Sequence, residues 1–260
     1  MKAVPDATLP TFVVEQREEA DCSIAEEIAS LVRSKPASAL GLATGNTPIG
    51  VYRELIRLHR AGSASLAHVS TFNLDEFLEL PRGHAASFRS WMQTHFFAHV
   101  DLAREHAHLP ELERAPELDC APLRERETAE REACERYEQA IQAAGGIELQ
   151  ILGIGRNGHI GFNEPGSPGD SRTRAVDLHP ITREDAAPAF GGLEDVPKRA
   201  LTMGIGTILD AKRIRVLAFG ARKAEIVKRT LFDPVSSACP ATFLRGHRDV
   251  KLYVDRAAWI

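Results

Sequence analysis

The run Leu152-Gly153-Ile154-Gly155-Arg156-Asn157-Gly158-His159-Ile160-Gly161-Phe162-Asn163-Glu164-Pro165-Gly166 sets a histidine and a glutamate five residues apart among glycines, asparagines and a proline. A histidine within reach of a carboxylate is what a proton-transfer enzyme needs. The apolar stretch 147–152 before it reads as a buried strand. A strand followed by a glycine-rich loop with polar and ionisable groups is how an open α/β sheet builds a ligand site at the carboxyl edge of its strands.

Two plainer readings compete. Gly153, Gly155 and Gly158 satisfy G-x-G-x-x-G, and Asp177 stands about 20 residues downstream, as a dinucleotide site would ask. That fingerprint needs a helix to begin at the loop. Segment 159–168 carries Asn163, Pro165, Gly166 and Pro168, so no helix is expected there. The other plain reading makes His159 a packed ring in a structural loop. The density of asparagine, histidine and glutamate, where no core packing asks for them, argues against it.

Three further constellations carry chemistry. Thr44-Gly45-Asn46-Thr47-Pro48 lies between a strand and a helix start. Free backbone N–H groups and the helix dipole make such a turn an anion site, with two hydroxyls and an amide as added donors. It is equally an ordinary strand-to-helix turn capped by Thr47, with Pro48 at the first helical position. Asn73-Leu74-Asp75-Glu76 ends a strand. Adjacent acids there point to opposite faces, so only one can face a given ligand. Asp75 is thus either a base or the cap of the following turn. Phe219-Gly220-Ala221-Arg222-Lys223 repeats the strand–turn–helix design. Lys223 in a first helical turn opposes the helix dipole, which suits a phosphate better than it suits the helix.

Elements must position these groups. Helical spacing predicts helices over 15–33, 48–60, 87–99, 123–144 and 222–231. Strands are expected at 39–43, 69–74, 147–152, 213–219 and 250–254. The charged helix 123–144 reads as a solvated outer face. Segment 108–122 reads as irregular, and 171–193, with no clear period, as a lid. The alternation predicts an α/β fold: one domain over 1–260, a mostly parallel, doubly wound sheet with helices on both faces.

Length and composition bound the partners. The 260 residues suffice for one large core, and the net charge of −4 is spread without a basic stripe. Hence no nucleic acid is expected as a partner, and no membrane, since no apolar run is long enough to span one. The first ten residues hold one Lys and no apolar core, so no secretory signal is expected. Cys22, Cys120, Cys134 and Cys239 are scattered, as free thiols of a cytoplasmic protein are, and show no metal spacing.

Taken together, 43–48, 72–77 and 153–166 resemble the glucosamine-6-phosphate deaminase (isomerase) family, with matching order and spacing over roughly residues 10–255. The related 6-phosphogluconolactonases share the Gly-His core but lack the Phe162-Asn163-Glu164-Pro165 continuation. The resemblance implies aldose–ketose isomerisation with deamination: glucosamine 6-phosphate and water to fructose 6-phosphate and ammonia. It implies His159 in ring opening, Asp75 as the base that moves a proton from C2 to C1, Glu164 orienting His159, and Asn157 as a further polar neighbour. Thr44, Gly45, Asn46, Thr47 and Lys223 would hold the phosphate. No metal and no cofactor is implied; a homo-oligomer is left open.

The chain departs from better-known members in three places. Many carry Asp where Asn157 stands. They place an arginine in the lid where Pro188-Ala189 stand here, with Arg172, Arg174 or Arg183 as substitutes. Allosteric members carry a basic residue at the position of Val176 and a C-terminal extension, so hyperbolic kinetics are expected. The galactosamine 6-phosphate epimer, a lactone and a non-catalytic sugar-phosphate sensor are the competing readings. The sensor needs a DNA-binding segment, for which residues 1–14 are too short.

Overall fold

The computed structural model describes residues 1–4, 7–81, 83–112 and 122–259. Eight strands form the main sheet in the order β1-β2-β11-β10-β7-β3-β4-β6. They are β1 (Lys2–Val4), β2 (Thr11–Val14), β3 (Ala39–Leu42), β4 (Ser70–Asn73), β6 (Ala107–His108), β7 (Leu149–Gly153), β10 (Ile214–Ala218) and β11 (Val250–Asp255). All neighbours are parallel except the edge pair β1–β2.

The strands alternate between two cores, as the period of two requires. On β10, Ile214, Val216 and Ala218 face one core and Leu217 the other; on β11, Leu252 and Tyr253 part in the same way. One core is covered by α1 (Arg17–Ser34) and α2 (Ile49–Arg60), through Ile24, Ile28, Val51 and Leu55. The other is covered by α4 (Leu123–Ala143), α6 (Ile205–Leu209) and α7 (Ala224–Phe232). A doubly wound, single-domain α/β fold is therefore present, with α3 (Phe88–His95) beside the first core.

β7 sits between β3, from which the chain runs outward through β4 to β6, and β10, from which it runs outward to β11. This is a topological switch point, where the carboxyl ends of open sheets bind ligands. The loops after β3, β4, β7 and β10 all leave at that edge. The chain following these four strands carries Thr44–Thr47, Asp75, Asn157, His159, Glu164 and Lys223.

Several expectations need correction. A second sheet, β5-β9-β8, is antiparallel. It joins β5 (Asp75–Phe77), β9 (Arg199–Thr202) and β8 (Arg174–Asp177). Asp75 therefore starts a new strand instead of ending β4. The segment 171–193 is regular: β8 belongs to this sheet, and α5 (Pro180–Phe190) follows, closed by Gly191 at φ 82°. Helix α2 starts one residue late, with Pro48 at the cap and no side-chain cap hydrogen bond. Thr47 turns instead toward Gly153, 3.7 Å from where a Cβ would stand there. Helix α4 is not wholly solvated. Its Tyr137 and Ile141 enter the core, and buried Glu130 accepts from the two terminal guanidinium nitrogens of Arg199 at 2.7 Å. Part of the irregular segment 108–122 lies outside the described residues, Cys120 with it.

Candidate active site

The loop after β7 is a tight turn held by its own backbone: Gly155 N–H donates to the His159 carbonyl at 2.9 Å, and Gly158 N–H to the Gly155 carbonyl at 3.0 Å. The imidazole of His159 folds back over Gly155. A Cβ there would stand 2.2 Å from the ring, so only glycine allows the approach. No helix begins at this loop, which removes the dinucleotide reading.

His159 Nδ1 lies 3.4 Å from Glu164 Oε2 and 3.3 Å from the hydroxyl of Thr182. The same hydroxyl donates to Glu164 Oε1 at 2.6 Å, and the Asn157 amide donates to Glu164 Oε2 at 2.7 Å. Asn157 also accepts the His159 backbone N–H at 3.2 Å. Burial pushes the Glu164 carboxyl up. The imidazole hydrogen bond and charge, with Thr182 and Asn157, outweigh it and hold the group below its ordinary range. An ionised Glu164 only accepts, so it keeps a proton on Nδ1 of His159.

Asp75 and Glu76 divide their work as the strand geometry demands. Glu76 accepts the backbone N–H groups of Phe77, Phe88 and Arg89, each at 2.9 Å. Two of these begin α3, which Ser87 also caps through Ser90 N–H at 3.1 Å. The capping carboxylate is thus Glu76, not Asp75. Asp75 is buried, and its carboxylate takes no hydrogen bond among the described residues. Burial first, and the charge of Glu76 second, raise its pKa well above the usual carboxylate range. Gly161, two residues beyond His159, brings the loop against it. A Cβ at Gly161 would lie 3.4 Å from Asp75 Oδ2, and its φ of 56° also favours glycine.

Asn163 fixes that approach. Its amide donates at 2.8 Å to both Ile160 and Met203 carbonyls and so stitches the loop to the end of β9. Phe162 N–H reaches the Thr202 hydroxyl at 3.0 Å, and Thr202 is the register partner of Asp75. The His159–Glu164 pair and the Asp75 carboxylate are thereby held on one frame.

Two other groups converge on the end of β7. Lys223, in the short 3-10 turn Ala221–Lys223, donates from Nζ to the Ile154 carbonyl at 2.6 Å. Burial pushes its ammonium down; Asp185 opposes this and Arg156 adds to it. Across the strand end stands the Thr44–Thr47 turn, with Gly45 at φ 89°. Arg17 of α1 ties this turn down, donating to the carbonyls of Asn46, at 2.6 Å, and Thr47. Its guanidinium lies over the Phe219 ring, 5.1 Å from the centroid, and beside Asp21 at 3.5 Å. Burial raises the Asp21 pKa to about 6, against the pull of Arg17.

All nine residues singled out in the sequence thus lie around one sheet edge. Sequence reasoning missed Thr182, Arg17 and Asn163, which complete the frame from α5, α1 and the loop itself. The three substitutes for the lid arginine are otherwise engaged. Arg172 pairs with Glu138 and Asp210 at 2.8 and 2.6 Å; Arg174 donates to Asn163 and Ser167; Arg183 holds the carbonyls of Leu193 and Val196.

Residues 15–253 match the family model described as glucosamine-6-phosphate isomerases/6-phosphogluconolactonase. The chain belongs to this family. It is 46% identical over 241 residues to a glucosamine-6-phosphate deaminase of Bacillus velezensis, covering 93% of this chain and 95% of that one. A Rhodopirellula baltica protein of the same name is 45% identical over 246 residues, covering 95% and 93%. Among solved structures, a monomeric glucosamine-6-phosphate deaminase superposes with a TM-score of 0.87 at 40% identity, over 95% of this chain and 98% of that one. The 6-phosphogluconolactonase of Thermotoga maritima shares the fold, at a TM-score of 0.70 and 21% identity, over 95% and 99%. Among the described residues no cluster of metal-ligating side chains occurs, and no helix is long and apolar enough to cross a membrane.

Proposed function

We propose that this chain is a glucosamine-6-phosphate deaminase, converting the amino-sugar phosphate and water to fructose 6-phosphate and ammonia. One observation carries the reading: a His159–Glu164 pair built for proton transfer stands on the same frame as Asp75, a buried carboxylate with no hydrogen bond among the described residues to occupy it.

His159, its Nδ1 proton fixed by Glu164, opens the ring: Nε2 takes the proton of the anomeric O1 hydroxyl and delivers it to the ring oxygen as the C1–O5 bond breaks. Asn157 and Thr182 hold Glu164 in place for this. Asp75 takes the proton from C2 of the open chain and returns it to C1 through an enolamine. The resulting C2 iminium adds water and releases ammonia. A carboxylate is a weak base in water; burial strengthens Asp75, as general-base work requires. The Thr44–Thr47 turn, including Gly45 and Asn46, takes the phosphate together with Lys223. Backbone N–H groups, hydroxyls and one ammonium suit a dianion. No cofactor takes part in this scheme. Helix α5, carrying Thr182, acts as the lid. The free, scattered thiols of Cys22, Cys134 and Cys239 accord with a cytoplasmic enzyme.

The test is ammonia release, coupled to a reporter, over glucosamine 6-phosphate and galactosamine 6-phosphate, with hydrolysis of the nitrogen-free 6-phosphogluconolactone followed separately by the acid it forms. The reading requires ammonia and fructose 6-phosphate in equal amounts from the first. Turnover of the lactone alone would overturn it.

A further inference from the structure

Helix α5 brings two acids, Glu184 and Asp185, to a single cation of the loop after β7. Arg156 Nε donates to Asp185 Oδ2 at 2.9 Å; one terminal nitrogen lies 2.7 Å from Asp185 Oδ1 and 3.7 Å from Glu184 Oε2. Arg156 stands two residues beyond Ile154, whose carbonyl holds Lys223. The Asp185 charge acts on Lys223 as well. Near Lys223, then, a second cation exists, and a carboxylate from the lid is matched to it. Arg172, Arg174 and Arg183, by contrast, are committed to other partners.

We propose that Arg156 is a second phosphate-binding residue of this site and Asp185 its counter-ion until the phosphate arrives. This rests on the sugar-phosphate reading above. A guanidinium offers the same parallel pair of N–H donors to a carboxylate or to a phosphate. The phosphate brings the greater charge, about −1.5 to −2 at neutral pH. The Arg156–Asp185 pair is part-exposed, 38% and 48%, so the carboxylate loses little on leaving. The exchange therefore runs toward phosphate. Helix α5 stays tethered at Thr182 through Glu164 while it lets go at Asp185, one turn later. A sugar without a phosphate cannot displace Asp185, so the pair also sharpens selection for the phosphorylated substrate.

The test uses the full chain and two readouts: calorimetric binding of inorganic phosphate, and the KM and kcat for glucosamine 6-phosphate. Arg156→Ala is expected to weaken phosphate binding and raise KM about 10- to 100-fold, with a much smaller fall in kcat. Arg156→Lys recovers part of both. Asp185→Ala, removing the competitor, tightens phosphate binding and lowers KM. Equal phosphate affinity in the wild type and Arg156→Ala, or weakening of the same size in Arg156→Ala and Asp185→Ala, overturns the proposal; the second outcome makes the pair a lid clasp only. Failure of the wild-type chain to bind phosphate overturns it too. A wild type that binds phosphate through Arg156 yet releases no ammonia removes the deaminase reading and leaves this assignment standing.

Discussion

Asp75 and Glu76 are adjacent in the chain, and among the described residues only one of the two carboxylates is hydrogen-bonded: Glu76 collects three backbone N–H groups while the Asp75 carboxylate faces the Gly161 loop with none. Strand geometry sends them to opposite faces, and the two environments engage one carboxylate and leave the other unengaged among the described residues.

Asp75→Asn is expected to lower turnover by about 10²–10⁴-fold, because an amide cannot accept the C2 proton. Solvent-deuterium exchange at C2 should be lost in parallel. The same variant should be more stable than the wild type at neutral pH. The folded-state pKa of Asp75 is raised, so its contribution to stability is whole below the unfolded pKa of about 4 and is lost as pH rises through the folded value. Thermal melts at several pH values check this: the gap should be widest near neutrality and close in acid. Normal exchange at C2 would remove Asp75 as the base.

Glu76→Ala should act on the fold. It strands buried N–H groups at the start of α3 and should cost about 1–3 kcal/mol in chemical denaturation. An unchanged midpoint would show that water replaces the carboxylate there at no cost.

His159→Gln should impair the cyclic sugar far more than an open-chain analogue, since its assigned step is ring opening. Equal losses on both would leave it a structural ring. Glu164→Gln should lower kcat as well. It should also remove stability that the wild type has above the unfolded carboxyl pKa of about 4 and loses as pH falls through the depressed folded value. Urea melts at neutral and acid pH should therefore converge for the two proteins in acid.

Lys223→Ala should chiefly raise KM for the phosphorylated substrate, the mark of a contact equal in ground and transition states. Binding of a non-phosphorylated amino sugar should hardly change. Steady-state kinetics with both ligands would expose a loss confined to kcat, which contradicts phosphate contact.

The local pattern was enough to find the doubly wound sheet, the loop after β7 and the residues around it. Alternation at 213–219 and 250–254, the turn residues at 44–48 and the density of polar groups at 157–164 are properties of short segments. The sequence by itself thus determined the five parallel strands β3, β4, β7, β10 and β11 and the residue types that follow the first four of them. It also left Asp75 open between base and cap, because both readings use the same residue at the same strand end. Tertiary structure decided that, by starting β5 at Asp75 and drawing α3 onto Glu76. It alone brought Thr182 to Glu164 across 18 residues, Arg17 to Thr47 across 30, and Asp185 to Arg156 across 29. Such contacts depend on how helices dock over a sheet edge, and no local period or spacing encodes the docking. For the same reason the antiparallel sheet β5-β9-β8 was invisible: its strands lie far apart in the chain, and each is stable only against the others.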